Sequence, residues 1–173
     1  MRNAVDWMLT RHAPYPAIAI DRHWVLLVMN GPAEALFGAV DLRTGDSLID
    51  ALMDNAAFRA ALDNLEEVEW LSFLRLRTEL AHFGADTRLE KAVERLAERV
   101  KRHRLAFSDE APVVIPARYR AGDRLLSFIS TIAQFGATGD IAMSEMRIEL
   151  FFPADEDTKQ AMQAIWPASS VIN

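Results

Sequence analysis

The hydrophobic period of this chain changes twice, and no other feature limits its fold as tightly. Near the N-terminus two short apolar runs, Ala17 to Ile20 and Trp24 to Met29, flank Asp21-Arg22-His23, a linker suited to a hairpin. From Pro32 to Arg104 apolar residues recur at helical spacing, and from Val113 the two-residue alternation returns. Strands at both ends with helices between them do not form the repeating units of a parallel sheet. The pattern predicts an α+β fold, a five-stranded antiparallel sheet with helices packed on one face.

Asn3 to His12 reads as a short helix ended by Pro14 and Pro16, since proline lacks the helix N–H and forces its predecessor to be extended. Trp24 to Met29 is apolar on both faces, as expected of a strand covered on each side. Pro32 suits the first turn of a helix to about Phe37. Ser47 is expected to cap a helix through Met53, and Asn55 one continuous helix from about Ala56 to His82. Thr87 and Glu90 fit a capping box for a helix to about Arg104. Three strands follow, Val113 to Tyr119, Arg124 to Phe135 and Ser144 to Phe152, with Pro116 placing the first at an edge or bulge. In the second, Leu126, Phe128, Ser130 and Ile132 share a face. In the third, Met146, Ile148 and Leu150 form the buried face, and Glu145, Arg147 and Glu149 are expected to meet water or a partner. Asp155, Glu156 and Asp157 lead a closing helix to about Trp166.

The 173 residues are 51% hydrophobic and 25% charged, enough to bury a core in one domain. We expect a linker helix over 1–13, the main domain over 14–167 and a tail over 168–173. Cysteine is absent, which excludes disulfides, thiolate metal sites and thiol catalysis. The net charge of -6 repels a phosphate backbone, so the chain alone is not expected to bind DNA. Its longest apolar run is Trp24 to Met29, far short of the roughly 20 residues of a membrane helix. With no apolar signal segment at the N-terminus, a soluble, cytoplasmic domain without a membrane partner is expected.

No constellation for catalysis emerges. His12, His23, His82 and His103 are scattered without metal-ligand spacing, and there is no phosphate-binding glycine loop or nucleophile elbow. Gly136-Ala137-Thr138-Gly139 reads as a turn, and Glu66, Glu67 and Glu69 as a solvated helix face. We therefore expect no catalytic residue, metal or cofactor. The basic run Arg99 to Arg104 reads as cations at a helix C-terminus. Arg77 is the polar residue that needs explaining, because Trp70, Phe73, Leu74 and Arg77 share one helical stripe. It snorkels outward, pairs with an internal acid or meets a ligand carboxylate. Arg75 lies about 160° away around the helix and is not expected to share its role. An apolar cavity between sheet and helices is expected, lined by some of Leu26, Met29, Phe37, Trp70, Phe73, Leu74, Phe128, Ser130 and Ile132.

Several stretches carry a resemblance. Pro14-Tyr15-Pro16-Ala17, Asp21-Arg22-His23-Trp24 and Asn30 form one set. Leu126 to Ile132, Phe135-Gly136 with Asp140, and Glu145 to Asp155 form the more specific C-terminal set. Together, over about Trp7 to Trp166, they resemble the MmyB-like ligand-binding domain of Xre-type helix-turn-helix bacterial transcription regulators. The resemblance implies a PAS-like fold and a sensor of small apolar molecules, a fatty acid being the known kind of ligand. The order of two strands, helices and three strands matches that fold. In the family a helix-turn-helix domain precedes this region, and nothing before Asn3 can hold one. The chain is thus expected to be an excised sensor or a free-standing relative, meeting DNA only through such a domain. Ala137 stands where the family usually has Thr. A homodimer is expected, with the helix Asn3 to His12 in the contact. The alternatives are a small cone-shaped enzyme using a buried carboxylate as base, or a cavity-free dimerisation module. An Asp or Glu on the apolar face of the last strands would favour the enzyme.

Overall fold

The computed structural model describes residues 2–103, 114–135 and 145–166. Five strands, β1 (Ala17–Ile20), β2 (Leu26–Met29), β3 (Ala117–Ala121), β4 (Arg124–Gln134) and β5 (Arg147–Pro153), form one sheet in the order β2-β1-β5-β4-β3. Every pairing is antiparallel. The chain starts in the middle of the sheet, crosses through the helices and returns to pair β5 directly with β1. The exposed edge of β2 is covered by the loop at 45–46, where Leu26 donates to Asp46 O and accepts from Gly45 N.

On the inner face lie α2 (Gly31–Gly38), α3 (Leu48–Asp54), α4 (Ala56–Ala61), α5 (Leu65–Phe83) and α6 (Thr87–Val100), with α7 (Glu156–Ile165) against β4 and β5. Ile18, Ile20, Leu26, Phe128 and Phe151 meet Phe37, Leu52, Phe58 and Leu76 in this main core. The first helix, α1 (Arg2–Arg11), takes the other side. Its Val5 and Leu9 bury Ala17, Ala19 and Ile148, with Leu27 and Val28 alongside. The doubly apolar β2 is therefore covered on both faces, as its composition requires.

Several boundaries differ from expectation. The long middle helix is two, broken at Leu62-Asp63-Asn64 because that backbone belongs to the sheet edge. Leu62 bridges to Tyr119, Asp63 N donates to Arg118 O, and the Asn64 amide accepts from Arg118 N and donates to Pro116 O. Asp86, not Thr87, caps α6, accepting from the N–H groups of Arg88 and Leu89. Trp24 is not in β2: it sits at φ 60 with its ring buried, turning the chain into the strand. β3 begins at Ala117 rather than Val113, with Pro116 just outside it, and Gly122 at φ 62 makes its turn into β4. The turn Gly136 to Gly139, the starts at Val113 and Ser144, Arg104, and the tail over 168–173 lie outside the described residues.

Candidate functional site: a cavity with one ionic end

Between the inner sheet face and the helices is a cavity of about 220 Å³. Its apolar part is walled by aromatic rings. Phe37 stands edge-on to Phe151 and Tyr119 at centroid distances of 6.1 and 6.5 Å, and Phe128 is edge-on to Phe151 at 6.2 Å. Phe58, Leu48 and Leu52 close one side, and Val68, Leu71, Ser72 and Arg75 of α5 form the roof. These last four stand at i, i+3, i+4 and i+7, one stripe of a helix. Ser130 and Ile132 extend the wall along β4.

The other end is ionic. Arg75 Nε donates to Glu79 Oε1 at 2.9 Å and Nη1 to Glu149 Oε2 at 3.1 Å, and its guanidinium lies 4.2 Å from the Trp24 ring centroid. Trp24 Nε1 donates to Glu79 Oε2 at 2.8 Å, and Arg147 Nη1 reaches the same oxygen at 2.7 Å. Arg147 and Glu149 are only 2% and 8% exposed. Two cations and two carboxylates thus neutralise one another under the roof, which makes burial of each tolerable. Burial acts to lower the Arg75 pKa, but Glu149 and Glu79 outweigh it and hold the group above the ordinary arginine value. Burial, aided by the like charge of Arg75, leaves Arg147 below that value despite Glu79. Burial, then the charge of Glu149, pushes the Tyr119 phenol well up, so it stays neutral.

The alternation of β5 assigns its charged face to water, and the structure turns that face inward. The β4–β5 register sets Glu149 opposite Ile132 and Arg147 opposite Gln134, on the cavity side, while Ile148 packs under α1. Alternation fixed the period of the strand but not which face was the cavity. The signal was a pair of matched spacings, Arg75 with Glu79 at i, i+4 and Arg147 with Glu149 at i, i+2.

Of the residues named from sequence, Phe37, Phe128, Ser130 and Ile132 line the cavity. Leu26 is fully buried in the main core, while Met29 and Phe73 pack at its margin, and none of the three is on the cavity wall. Trp70 lies beside Phe73, with ring centroids 6.0 Å apart, and Leu74 is 37% exposed. Arg77 is exposed, its guanidinium 5.4 Å from the Phe73 ring. Of the alternatives for Arg77, the outward course is the one its exposure matches, while the pairing with internal acids is made by Arg75, because the roof stripe of α5 is rotated from the one its aromatics suggest. Trp24, Arg75, Tyr119, Glu149 and Phe151 also line the cavity, and apart from those matched spacings no sequence pattern singles them out for it.

Within the basic run, Arg99 and His103 are structural, while Lys101 and Arg102 are exposed. Arg99 donates to Met53 O, and with Arg59 and His103 it surrounds Glu69, which is 1% exposed, His103 Nε2 lying 2.7 Å from the carboxylate. Glu69 is thus a buried clamp and not part of a solvated face. Among the described residues, no group of three or more His, Asp or Glu could hold a metal ion. Nor is any helix there long and apolar enough to cross a membrane.

The chain belongs to the family described as the MmyB-like transcription regulator ligand binding domain, whose model matches residues 1–165. No curated protein matches it. Among solved structures it is similar to the PAS domain of BvgS from Bordetella pertussis, with a TM-score of 0.41 and 13% identity over 94% of this chain and 95% of that one.

Proposed function

We propose that the chain is the ligand-sensing regulatory domain of a cytoplasmic bacterial transcription regulator, and that its cavity receives a small apolar molecule of the fatty-acyl kind. Family membership supports the regulatory role. The observation that carries the ligand reading is the aromatic-walled cavity with polar groups gathered at one end, the form of most small-molecule sites. The enzyme alternative calls for a carboxylate on the wall, and Glu149 stands there. Its Oε2 is paired with Arg75 at 3.1 Å within a balanced set of two cations and two carboxylates, an arrangement that supports a structural ionic end and favours the sensor. Native mass spectrometry of gently purified protein tests this. A retained small apolar ligand, lost when Ser72→Phe fills the roof, is expected. An empty wild-type protein that also binds no added acyl compound would refute it.

DNA contact in this reading belongs to a helix-turn-helix domain joined to the chain, and the assembly is a homodimer. Supporting the dimer, α1 buries Leu9 against the sheet yet leaves Trp7 60% exposed, and Phe152 on the same outer face is 41% exposed. A closed twofold contact, the commonest symmetry among soluble oligomers, would cover this surface. Sedimentation should show a dimer that Trp7→Glu weakens at least about tenfold, and a wild-type monomer at high concentration would contradict it.

A further inference from the structure

Resting on that reading of the cavity, we infer that an adjoining hollow, walled by α2, α7 and the β3–β4 hairpin, is a second subsite that receives the methyl end of an acyl chain too long for the main cavity. The hollow measures about 160 Å³ and shares Phe37 and Tyr119 with the main cavity. Its other walls are hydrocarbon, chiefly Pro32 and Leu36 of α2, Leu126 of β4, and Met162 and Ile165 of α7. Trp166, seated on Gly31, closes its far end. Arg120 is the only charged residue among those lining it, and that side chain is exposed and paired with Asp63. Nothing there suits a head group, so the polar end of a ligand stays with Ser72, Ser130 and the ionic end of the main cavity.

The two spaces are parted only where Phe37 and Tyr119 meet edge to face, with centroids 6.5 Å apart. Void on both sides of a ring pair is at odds with the close packing of a core. Here it arises because Ala35, Ala39, Ala61 and Ala121 stand around the hollow where larger side chains would fill it. A turn of either ring about its side-chain torsions opens the wall into volume that is already free. That turn moves no charge, since burial keeps the Tyr119 phenol neutral. At the ~30 Å³ share of a water-sized unit, the main cavity of about 220 Å³ takes about seven carbons and the hollow about five more. The joined site therefore suits a chain of about twelve carbons, with Trp166 as its limit.

Calorimetric titration of delipidated protein with octanoate and dodecanoate tests the inference. Each buried methylene raises affinity about fourfold, so dodecanoate should bind at least about thirtyfold tighter. Ala61→Phe, which fills the hollow, should remove at least about tenfold of that gain, while octanoate binding, which also reports the fold, changes less than about twofold. Ala35→Phe, at an exposed position on the same wall, should act alike. In the dodecanoate-saturated wild-type protein, isotope-filtered NMR should place the terminal methyl against Met162 and Leu36. Terminal-methyl contacts confined to main-cavity residues such as Leu52 and Phe58 would overturn the inference and leave the sensor reading standing. So would dodecanoate within about threefold of octanoate, or its full gain kept in both variants. Failure of both compounds to bind would overturn both readings. The wild-type measurements decide the matter even if neither variant folds.

Discussion

Asn30 shows how much structure one side chain can hold. Its Oδ1 accepts from Ala17 N and Ala33 N, both at 3.0 Å, and its Nδ2 donates to Leu9 O at 3.0 Å and Tyr15 O at 2.9 Å. One 7%-exposed amide thus joins α1, β1 and the N-terminus of α2. Asn30→Asp keeps the acceptor but turns carboxylate oxygen toward two carbonyls. Unmet or repelled buried groups cost about 1–3 kcal/mol each, so a loss of about 3 kcal/mol is expected in urea unfolding. A change below about 1 kcal/mol would show that the network is dispensable. Asn30 was visible in the sequence as part of a resemblance, but its role was not, because its partners lie up to 21 residues away. Arg75 was hidden for a related reason. Helical spacing identifies stripes, whereas the sheet residues that meet a stripe, here Glu149, come from 74 positions later.

At the scale of elements, chain order and strand type were legible from the hydrophobic period, while ends and breaks were set by tertiary partners. The gap between α4 and α5 illustrates this, since Asn64 is fixed by Pro116 and Arg118 of the distant sheet edge. Caps with local partners were easier to read. Ser47 and Asn55 accept from Asp50 N and Phe58 N as their residue types suggest. These junctions also carry the acid sensitivity. Burial lowers the pKa of His12, whose Nε2 donates to Phe151 O at 2.8 Å between α1 and the sheet. Hydrogen bonds, led by the one from Thr158 N, hold Asp155 below the ordinary aspartate value at the start of α7. Both groups bind protons less readily when folded, so each contributes stability above its unfolded pKa that is lost as pH falls through the folded one. Stability should decline first below about pH 6.5, where His12 of the unfolded chain begins to take up a proton, then below about 4, where Asp155 of the unfolded chain does. His12→Gln should flatten the first decline and Asp155→Asn the second in melts across pH. Unchanged slopes in both variants would show that neither junction is pH-linked.

At the scale of the molecule, β5 separates two environments. Phe151 forms part of the cavity wall, and its carbonyl accepts from His12 at the end of α1. Phe152, the next residue, faces the other way and meets the His12 ring edge-on at 4.9 Å. A ligand against Phe151 therefore lies one peptide from the helix whose outer side carries Trp7. A signal follows only if the ligand binds one arrangement of that junction better than another. A second apolar hollow of about 160 Å³ shares Phe37 and Tyr119 with the main cavity and ends at Trp166, whose ring packs so tightly on Gly31 that a Cβ there would come within 2.5 Å of it. The two hollows leave the aromatic wall with space on both sides, in contrast to the close packing usual in a core.

Occupancy of the cavity beneath α5 is the central claim, and isotope-filtered NMR of the octanoate-saturated protein tests it most directly. Intermolecular contacts from the ligand methylenes should fall on the rings of Phe37, Phe128 and Phe151. Contacts confined to the outer-face residues Trp7 and Phe152, or no saturable binding at all, would contradict it.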